Sequence, residues 1–339
     1  MWMRMLRPSW FRPPAREPSV ALVVALWLVF PALLSGQGAA RDALSTFPAD
    51  THQILYSNLA QLRALPDYGR IRLWIVTPPL DNFERILNTF RTDVEKDMDE
   101  VTLGWRGDAP NSAFFGLAEG RFQPDLTRDY FAKRETPCEQ YAGYDLYGFG
   151  SSTDRDALFF AFFDSSTVAF GHLNELKAML DVRAGGRPAL QSNSDFLNAE
   201  GELEGSALQW GIARGALAAK EAAPWLTGGV KLPADPKALL APIQLVLYRF
   251  DWGSQLYMRM SLLCRDAGSA TKLTQVLALL HSAPASPTTG STSAAATAVA
   301  ALFQGMDVQT NGARIEMSGS VPIAITDQVL RNGGTLTAP

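Results

Sequence analysis

The chain has 339 residues and a formal net charge of −4, with acidic and basic residues interspersed. This pattern lacks the basic patch that marks a nucleic-acid-binding surface, and we expect no nucleic-acid partner. A chain of this length is enough for one large domain or two ordinary ones.

The N-terminus has the pattern of a secretory signal peptide. The first 16 residues carry four arginines, an apolar run covers Val20–Leu34, and the small residues Gly38 and Ala40 stand just before Arg41. This order predicts a leader over residues 1–40 and export to the periplasm or beyond the cell. The alternative is a retained anchor, but the apolar run is shorter than the roughly 20 residues that span a bilayer. We expect no stable membrane span after cleavage.

The first part of the mature chain changes from helical to strand periodicity. Residues 42–65 have the pattern of a loop that leads into a helix. Residues 81–101 carry apolar side chains three and four positions apart, which predicts an amphipathic helix. Asp81 is the expected N-cap and Glu84 would complete a capping box. Two strands at 101–107 and 112–122 and a helix at 124–134 are predicted next.

Four phenylalanines fall within residues 157–164, in the stretch ALFFAFFD. If this stretch is a strand, Phe160 and Phe162 point to one face and Phe159 and Phe163 to the other. A strand that is apolar on both faces belongs in a sheet covered on both sides. The helices predicted at 81–100 and 173–183, or the other half of the protein, could cover it. The alternative is that one face lines a cavity for an acyl chain or another hydrophobic ligand.

The second half repeats an order of hairpin and helix. A hairpin with its turn at Trp252–Gly253 precedes a helix at 269–280, and a low-complexity loop is expected at 281–296. An alanine-rich helix at 294–304 leads to a hairpin signalled by Asn311–Gly312. A strand at 144–150 and a hairpin through Ser165–Ser166 give the first half a similar order. The predicted fold class is therefore α+β, with two related units of antiparallel hairpins packed against helices, in domains 41–215 and 216–339.

The polar residues form no coherent catalytic or metal-binding set. His172 opens a predicted helix near Asp164 and two serines, which raises the alternative of a hydrolase. No Gly-x-Ser-x-Gly elbow is present, and a polar residue at a helix start more often serves as a cap. Residues 93–100 hold five carboxylates, but Met98 stands where an EF-hand loop requires glycine. We assign no catalytic residue, cofactor or metal ligand.

The two cysteines of the chain, Cys138 and Cys264, both follow the leader. In an oxidising compartment they could form a disulfide that joins the two halves. The alternative, which the sequence supports equally, is two free thiols, one buried and one exposed.

Several stretches occur in an order that is similar to a family of uncharacterised exported bacterial proteins: TDVEKDMDEVTLG, GLAEGRF, YAGYDLYGFG, LFFAFFDSSTVAFGHLNELKAMLDVRAGG and ALQWGIARG. The resemblance covers roughly residues 85–215 and implies no known activity. Its aromatic, glycine and apolar positions are of the kinds that specify turns and packing. The sequence thus predicts an exported, non-catalytic binding protein of the cell envelope, whose partner is another envelope protein. The alternative is a carrier of a lipid or another hydrophobic ligand.

Overall fold

The computed structural model describes residues 38–75, 78–90, 92–107, 114–134, 138–149, 157–203, 207–219, 240–282 and 305–322. Within these residues, α-helices cover the two faces of one antiparallel sheet of twelve strands. The α+β class with antiparallel strands is therefore confirmed.

The helices are α1 (Gly38–Thr46), α2 (Leu59–Arg63), α3 (Tyr68–Ile75), α4 (Pro78–Thr89), α5 (Val94–Asp97), α6 (Pro124–Lys133), α7 (Leu173–Arg183), α8 (Ser194–Leu203) and α9 (Ala267–Ser282). The strands are β1 (Thr51–Asn58), β2 (Met98–Arg106), β3 (Phe114–Gly120), β4 (Glu139–Tyr141), β5 (Tyr144–Phe149), β6 (Leu158–Phe162), β7 (Thr167–Gly171), β8 (Gln209–Arg214), β9 (Ile243–Trp252), β10 (Gln255–Cys264), β11 (Asp307–Asn311) and β12 (Arg314–Pro322).

The strands lie in the order β11-β12-β10-β9-β8-β1-β2-β3-β7-β6-β5-β4. The boundary predicted between residues 215 and 216 falls between β8 and β9, which pair side by side. Both predicted domains therefore contribute strands to the same sheet. Whether the two halves are related units stays a prediction.

Each face of the sheet packs against its own set of helices. The front face packs against α2 to α6 and α9, with Phe83 of α4 and Leu273 of α9 among its buried residues. The back face packs against α1, α7 and α8, with Leu176 of α7 and Phe196 of α8 in the core. The side chains of a strand alternate between faces, so one strand supplies both cores.

The prediction of one helix over residues 81–101 is wrong after Thr89. Helix α4 begins at Pro78, before the predicted cap Asp81, and ends at Thr89. The later apolar residues belong to α5 and to β2. From Met98 onward the chain is a strand that pairs with β3 and β1 rather than a helix. Glu84 makes no capping box; it is buried and pairs with Arg72 of α3.

Two strands near the middle of the sheet were not predicted. Residues 51–58 lie in the stretch predicted to lead from a loop into a helix, but they form β1. Residues 209–214, for which no element is predicted, form β8. These strands pair with each other, and β1 also pairs with β2. Because both are almost entirely buried, they lack the alternation of polar and apolar residues that marks a half-exposed strand.

The strands of the three predicted hairpins pair antiparallel: β6 with β7, β9 with β10, and β11 with β12. Two turns differ from the prediction. Trp252 is the last residue of β9, so the turn there is Gly253–Ser254. Strands β11 and β12 pair from Asn311–Arg314 onward, so the two loop residues are Gly312 and Ala313 rather than Asn311 and Gly312. Gly312 has φ +58°, as the first residue of a type II′ turn requires. Most of the predicted leader, most of the loop predicted at 281–296 and the alanine-rich helix predicted at 294–304 lie outside the described residues.

Candidate functional site

The phenylalanines of β6 supply side chains to both cores, as the alternation of a strand requires. On the front face, Phe160 is fully buried and its ring lies 5.8 Å from the ring of Phe90 and 5.6 Å from that of Tyr147. Phe162 is partly buried and packs edge-on against Phe160 at 5.8 Å. These contacts come from the chain itself, so the front rings serve as packing.

The back rings of β6 also contact protein groups. Phe159 is 8% exposed, and its ring lies so close to Gly148 of β5 that a side chain there would collide with it. Phe163 lies just past the strand end, 5.4 Å from the ring of Tyr144, with the Arg183 guanidinium 4.1 Å above its ring. A cation over an aromatic face is attracted by the ring quadrupole, which fixes this edge of the back core.

His172 is in the N-cap position of α7, but its side chain makes no capping bond. Its Nδ1 instead accepts a hydrogen bond of 3.0 Å from the backbone N–H of Phe114. Ser166 and Asp164 bond to each other in the turn at the opposite end of β7. At about 3.3 Å per residue, the strand separates Ser166 from His172 by about 20 Å. The structure therefore does not bring these residues together as a triad.

The two cysteines are free thiols in the structure. Cys138 is exposed beside β4, at one edge of the sheet, while Cys264 is buried at the end of β10 near the other edge. The predicted alternative of a disulfide is not formed, because eight strands separate β10 from β4 in the sheet order. Burial raises the pKa of both thiols, which favours the unreactive protonated form.

The acidic stretch 93–100 is divided between a short helix and a strand. Asp93 caps α5 by accepting a bond from the Glu95 N–H, and it pairs with Lys96. Glu100 lies in β2 and is buried on the back face. The carboxylates of this stretch therefore do not lie on one helix. Among the described residues, no group of three or more His, Cys, Asp or Glu side chains is arranged to hold a metal ion.

Two back-facing carboxylates, Glu100 and Glu119, lie directly opposite each other on β2 and β3. Glu100 accepts hydrogen bonds from Asn58 Nδ2 at 3.3 Å and from the backbone N–H of Ala39, at the start of α1, at 3.1 Å. Burial, followed by the charge of Glu100, raises the pKa of Glu119 to about 7. We call these two residues the carboxylate pair.

The back face of β9 to β12 extends beyond the helices that cover the rest of that face. Leu245 and Leu247 of β9 still join the back core. Farther along the strands the back-facing residues are polar and partly or fully exposed. This surface, which we call the open back face, consists of Arg249, Asp251, Gln255, Tyr257, Arg259, Asp307, Gln309, Glu316, Ser318 and Ser320.

Most charged groups of the open back face are paired within the chain. Arg249 makes a bidentate contact with Asp251 at 2.9 and 3.0 Å. Glu316 accepts a bond of 3.0 Å from the Ser261 hydroxyl. At the border with α8, Arg314 binds both carboxylate oxygens of Glu202. These contacts hold the surface in one arrangement.

Tyr257 and Arg259 are the exception on this surface. They are neighbours on the same face of β10, both are exposed, and Tyr257 is 49% exposed. Within the described part of the chain, neither side chain has a hydrogen bond or an ion pair. Arg259 is directly opposite Arg249, whose charge is already matched by Asp251. The centre of the open back face therefore carries an aromatic ring beside an unmatched positive charge.

The sequence did not reveal the open back face or the carboxylate pair. The alternation of QLYMRMSLLC does place Tyr257 and Arg259 on one face of a strand, but it does not show that these two side chains are exposed. The carboxylate pair depends on the register of β2 against β3, which joins residues 19 positions apart.

No protein-family model and no curated protein sequence matches this chain. Among solved structures, crystal forms I, III and IV of the protein TP0453 are similar, with TM-scores of 0.49, 0.47 and 0.46 and identities of 11%, 12% and 12%. The matches cover 86%, 86% and 85% of this chain and 97%, 98% and 96% of the TP0453 chains. At these scores the likeness is distant. In the residues that the structure describes, no helix is both long enough and apolar enough to span a bilayer.

Proposed function

We propose that this chain is an exported, non-catalytic binding protein of the cell envelope, and that it holds a partner protein on the open back face. The observation that carries the proposal is the exposed pair of Tyr257 and Arg259 on a sheet face whose other charged side chains bond within the chain. Tyrosine and arginine are the residue types most enriched where interfaces derive their binding energy.

The chemistry of this surface defines the partner. The ring of Tyr257 offers apolar area and a hydroxyl, while Arg259 offers a planar donor group that suits a carboxylate. The surrounding serine, glutamine and paired ionic groups form a polar rim, which is typical of an interface between separately folded proteins. We therefore expect the partner to present an acidic side chain beside an apolar or aromatic group.

The contacts of the β6 phenylalanines favour this role over a hydrophobic carrier. Phe160 is enclosed by protein rings, Phe159 packs onto Gly148, and Phe163 lies between Tyr144 and Arg183. A carrier would use these rings to contact its ligand. The hydrolase alternative lacks support from geometry, because the Asp164 and Ser166 contact is at the far end of β7 from His172.

The test is site-specific photo-crosslinking in the native envelope. A photo-reactive amino acid at Gln309, on the open back face, should yield one discrete crosslinked protein. The same probe in a chain carrying Tyr257→Ala and Arg259→Ala should lose that product, because truncating one hot-spot residue costs about 2 kcal/mol or more, which is about 30-fold in Kd.

The matched control carries Leu126→Ala and Lys133→Ala, which remove an exposed apolar and an exposed basic side chain from α6 on the other side of the sheet. It should keep the crosslink. If the product persists after the Tyr257 and Arg259 replacements, or disappears equally in the control, the open back face is not the binding surface. Fractionation of the same cells tests export: a chain confined to the cytoplasm contradicts the envelope role.

A further inference from the structure

We propose that the leader is removed between Gly38 and Ala39, so that the mature chain begins at Ala39 and its α-ammonium group is held by the carboxylate pair. The inference rests on the export that is part of the proposed function. It differs from the cleavage after Ala40 that the sequence pattern first indicates.

Two peptide bonds in this region satisfy the requirement of leader peptidases for small residues one and three positions before the cut. The first follows Gly38, with Gly36 at the third position. The second follows Ala40, with Gly38 at the third position. The sequence rule does not distinguish between them, whereas the packing of α1 does.

Cleavage after Ala40 would remove part of the folded back core. Ala39 is fully buried and Ala40 is 2% exposed, and both pack in the back core with Ala43. Arg41 is the first exposed residue of this helix after them. A chain that begins at Arg41 would leave an unfilled space beneath α1, and unfilled space in a core destabilises the folded state.

The same cleavage would also remove a donor from Glu100. This carboxylate is 5% exposed and accepts the backbone N–H of Ala39 at 3.1 Å. The Asn58 amide also donates to it, and Glu119 faces it across the strand pair. A buried carboxylate that loses a donor while facing a like charge is strongly disfavoured.

Cleavage after Gly38 strengthens this site instead. The nitrogen of Ala39 becomes a charged ammonium group at the position from which it already donates to Glu100. A Cβ atom at Gly38 would collide with the Glu119 carboxylate, so this carboxylate lies beside the start of α1. Asp42 and Asp99 add negative charge nearby. A positive group at this point offsets the repulsion between carboxylates and lowers the pKa of Glu119 from its raised value.

The first experiment is intact-mass measurement and N-terminal sequencing of the protein recovered from the envelope fraction. The expected mature N-terminus is Ala39. A chain that begins at Arg41, or at any other residue, overturns the inference and leaves the proposed binding role standing. A full-length chain in the envelope also overturns the inference and leaves the proposed binding role standing. A full-length chain confined to the cytoplasm contradicts export itself, and the inference falls with it.

The second experiment compares three chains released from a fusion partner: one beginning at Ala39, the same chain with its α-amino group acetylated, and one beginning at Arg41. Thermal unfolding at pH 7 should give the highest Tm for the free Ala39 chain, a Tm several degrees lower for the acetylated chain, and the lowest Tm for the Arg41 chain. Equal Tm values for the Ala39 and Arg41 chains would overturn the assignment of the cleavage site.

The role of the ammonium group is tested by coupling. Glu100→Gln should remove most of the Tm difference between the free and acetylated Ala39 chains, because it removes the charge that the ammonium group faces. Asp129→Asn, at an exposed position of α6, should leave the difference unchanged. If the difference survives Glu100→Gln intact, the ammonium group is not bound at the carboxylate pair.

Discussion

At the scale of single residues, the close approach of another backbone segment determines which amino acid a position can hold. Gly120 ends β3 where the chain packs against the carbonyl of Asp97, and a Cβ atom at this position would collide with that backbone oxygen. Backbone atoms cannot move aside as a side chain can. Gly201 is different, since it is inside helix α8 with open space around it.

Gly120→Ala should therefore lower the free energy of unfolding by about 1–3 kcal/mol, the usual cost of overpacking. The matched change Gly201→Ala should raise it by about 0.5–1 kcal/mol, because alanine is the better helix former. Urea denaturation of both variants checks the pair. A Gly120→Ala chain as stable as the parent would show that the close approach to Asp97 is not as described.

The buried carboxyl of Glu84 gives a pH-dependent prediction at the same scale. Arg72 of α3 pairs with Glu84 of α4 and with Glu95 of α5, and Tyr68 donates a bond of 2.9 Å to Glu95. Burial raises the pKa of Glu84 above its ordinary value in spite of Arg72. Replacing Arg72 would leave this carboxylate buried without its counter-ion.

Arg72→Met should cost about 3 kcal/mol at pH 7, and adding Glu84→Met should recover most of the loss. In the single variant the loss should vanish below the unfolded-state pKa of 4.5, where Glu84 is protonated in both states, and grow as the pH rises through its higher folded-state pKa. Denaturant titrations from pH 4 to pH 8 measure this. A loss that does not change with pH would contradict the account.

At the scale of elements, strand β6 shows that the local sequence alone can predict which side chains of an apolar strand share a face. Its three phenylalanines and Phe163, just past the strand end, alternate between faces, and α4 and α7 provide the expected cover. Phe83 of α4 stacks on Phe170 of β7 at 3.8 Å, directly beside Phe160, its partner across the strand pair. The strand is third from one edge of the sheet, so being buried on both faces does not require a central place.

Phe160→Ala should reduce the free energy of unfolding by about 3–5 kcal/mol, since the cavity lies among rings that cannot close over it. Phe163→Ala, at the half-buried end of the same segment, should cost less than about 2 kcal/mol. Chemical denaturation of the two variants checks the ranking. A reversed order would mean that the back edge, with Tyr144 and Arg183, is the tighter cluster.

At the scale of the whole molecule, the described residues from Gly38 onward form one compact unit built on one sheet. The pairing of β8 with β9 joins the halves that the sequence separates. We therefore expect the two halves to unfold together, in one cooperative transition.

Thiol labelling of a Cys138→Ser chain tests this cooperativity, because Cys264 is 2% exposed in the second half. Its labelling rate in native conditions should match the rate of global unfolding measured by the loss of circular dichroism. Cys138, in a Cys264→Ser chain, should react without prior unfolding because it is exposed, at a rate that rises with pH as its thiol loses its proton. Labelling of Cys264 that is much faster than global unfolding would show that the halves open separately.

The sequence by itself determined the local elements whose periodicity matches one exposed and one buried face, such as α7, the hairpin of β9 with β10, and that of β11 with β12. It also determined which side chains of β6 share a face, because alternation is a property of any strand. These features depend on neighbours a few residues apart.

Only the tertiary structure decided the identity of β1 and β8, the end of α4, and the pairing of both halves in one sheet. It also brought Glu100 beside Glu119 and Ala39, and left the side chains of Tyr257 and Arg259 exposed on the open back face. Each of these features depends on which distant segment lies alongside. That choice is made by the packing of the whole sheet, and local composition does not encode it.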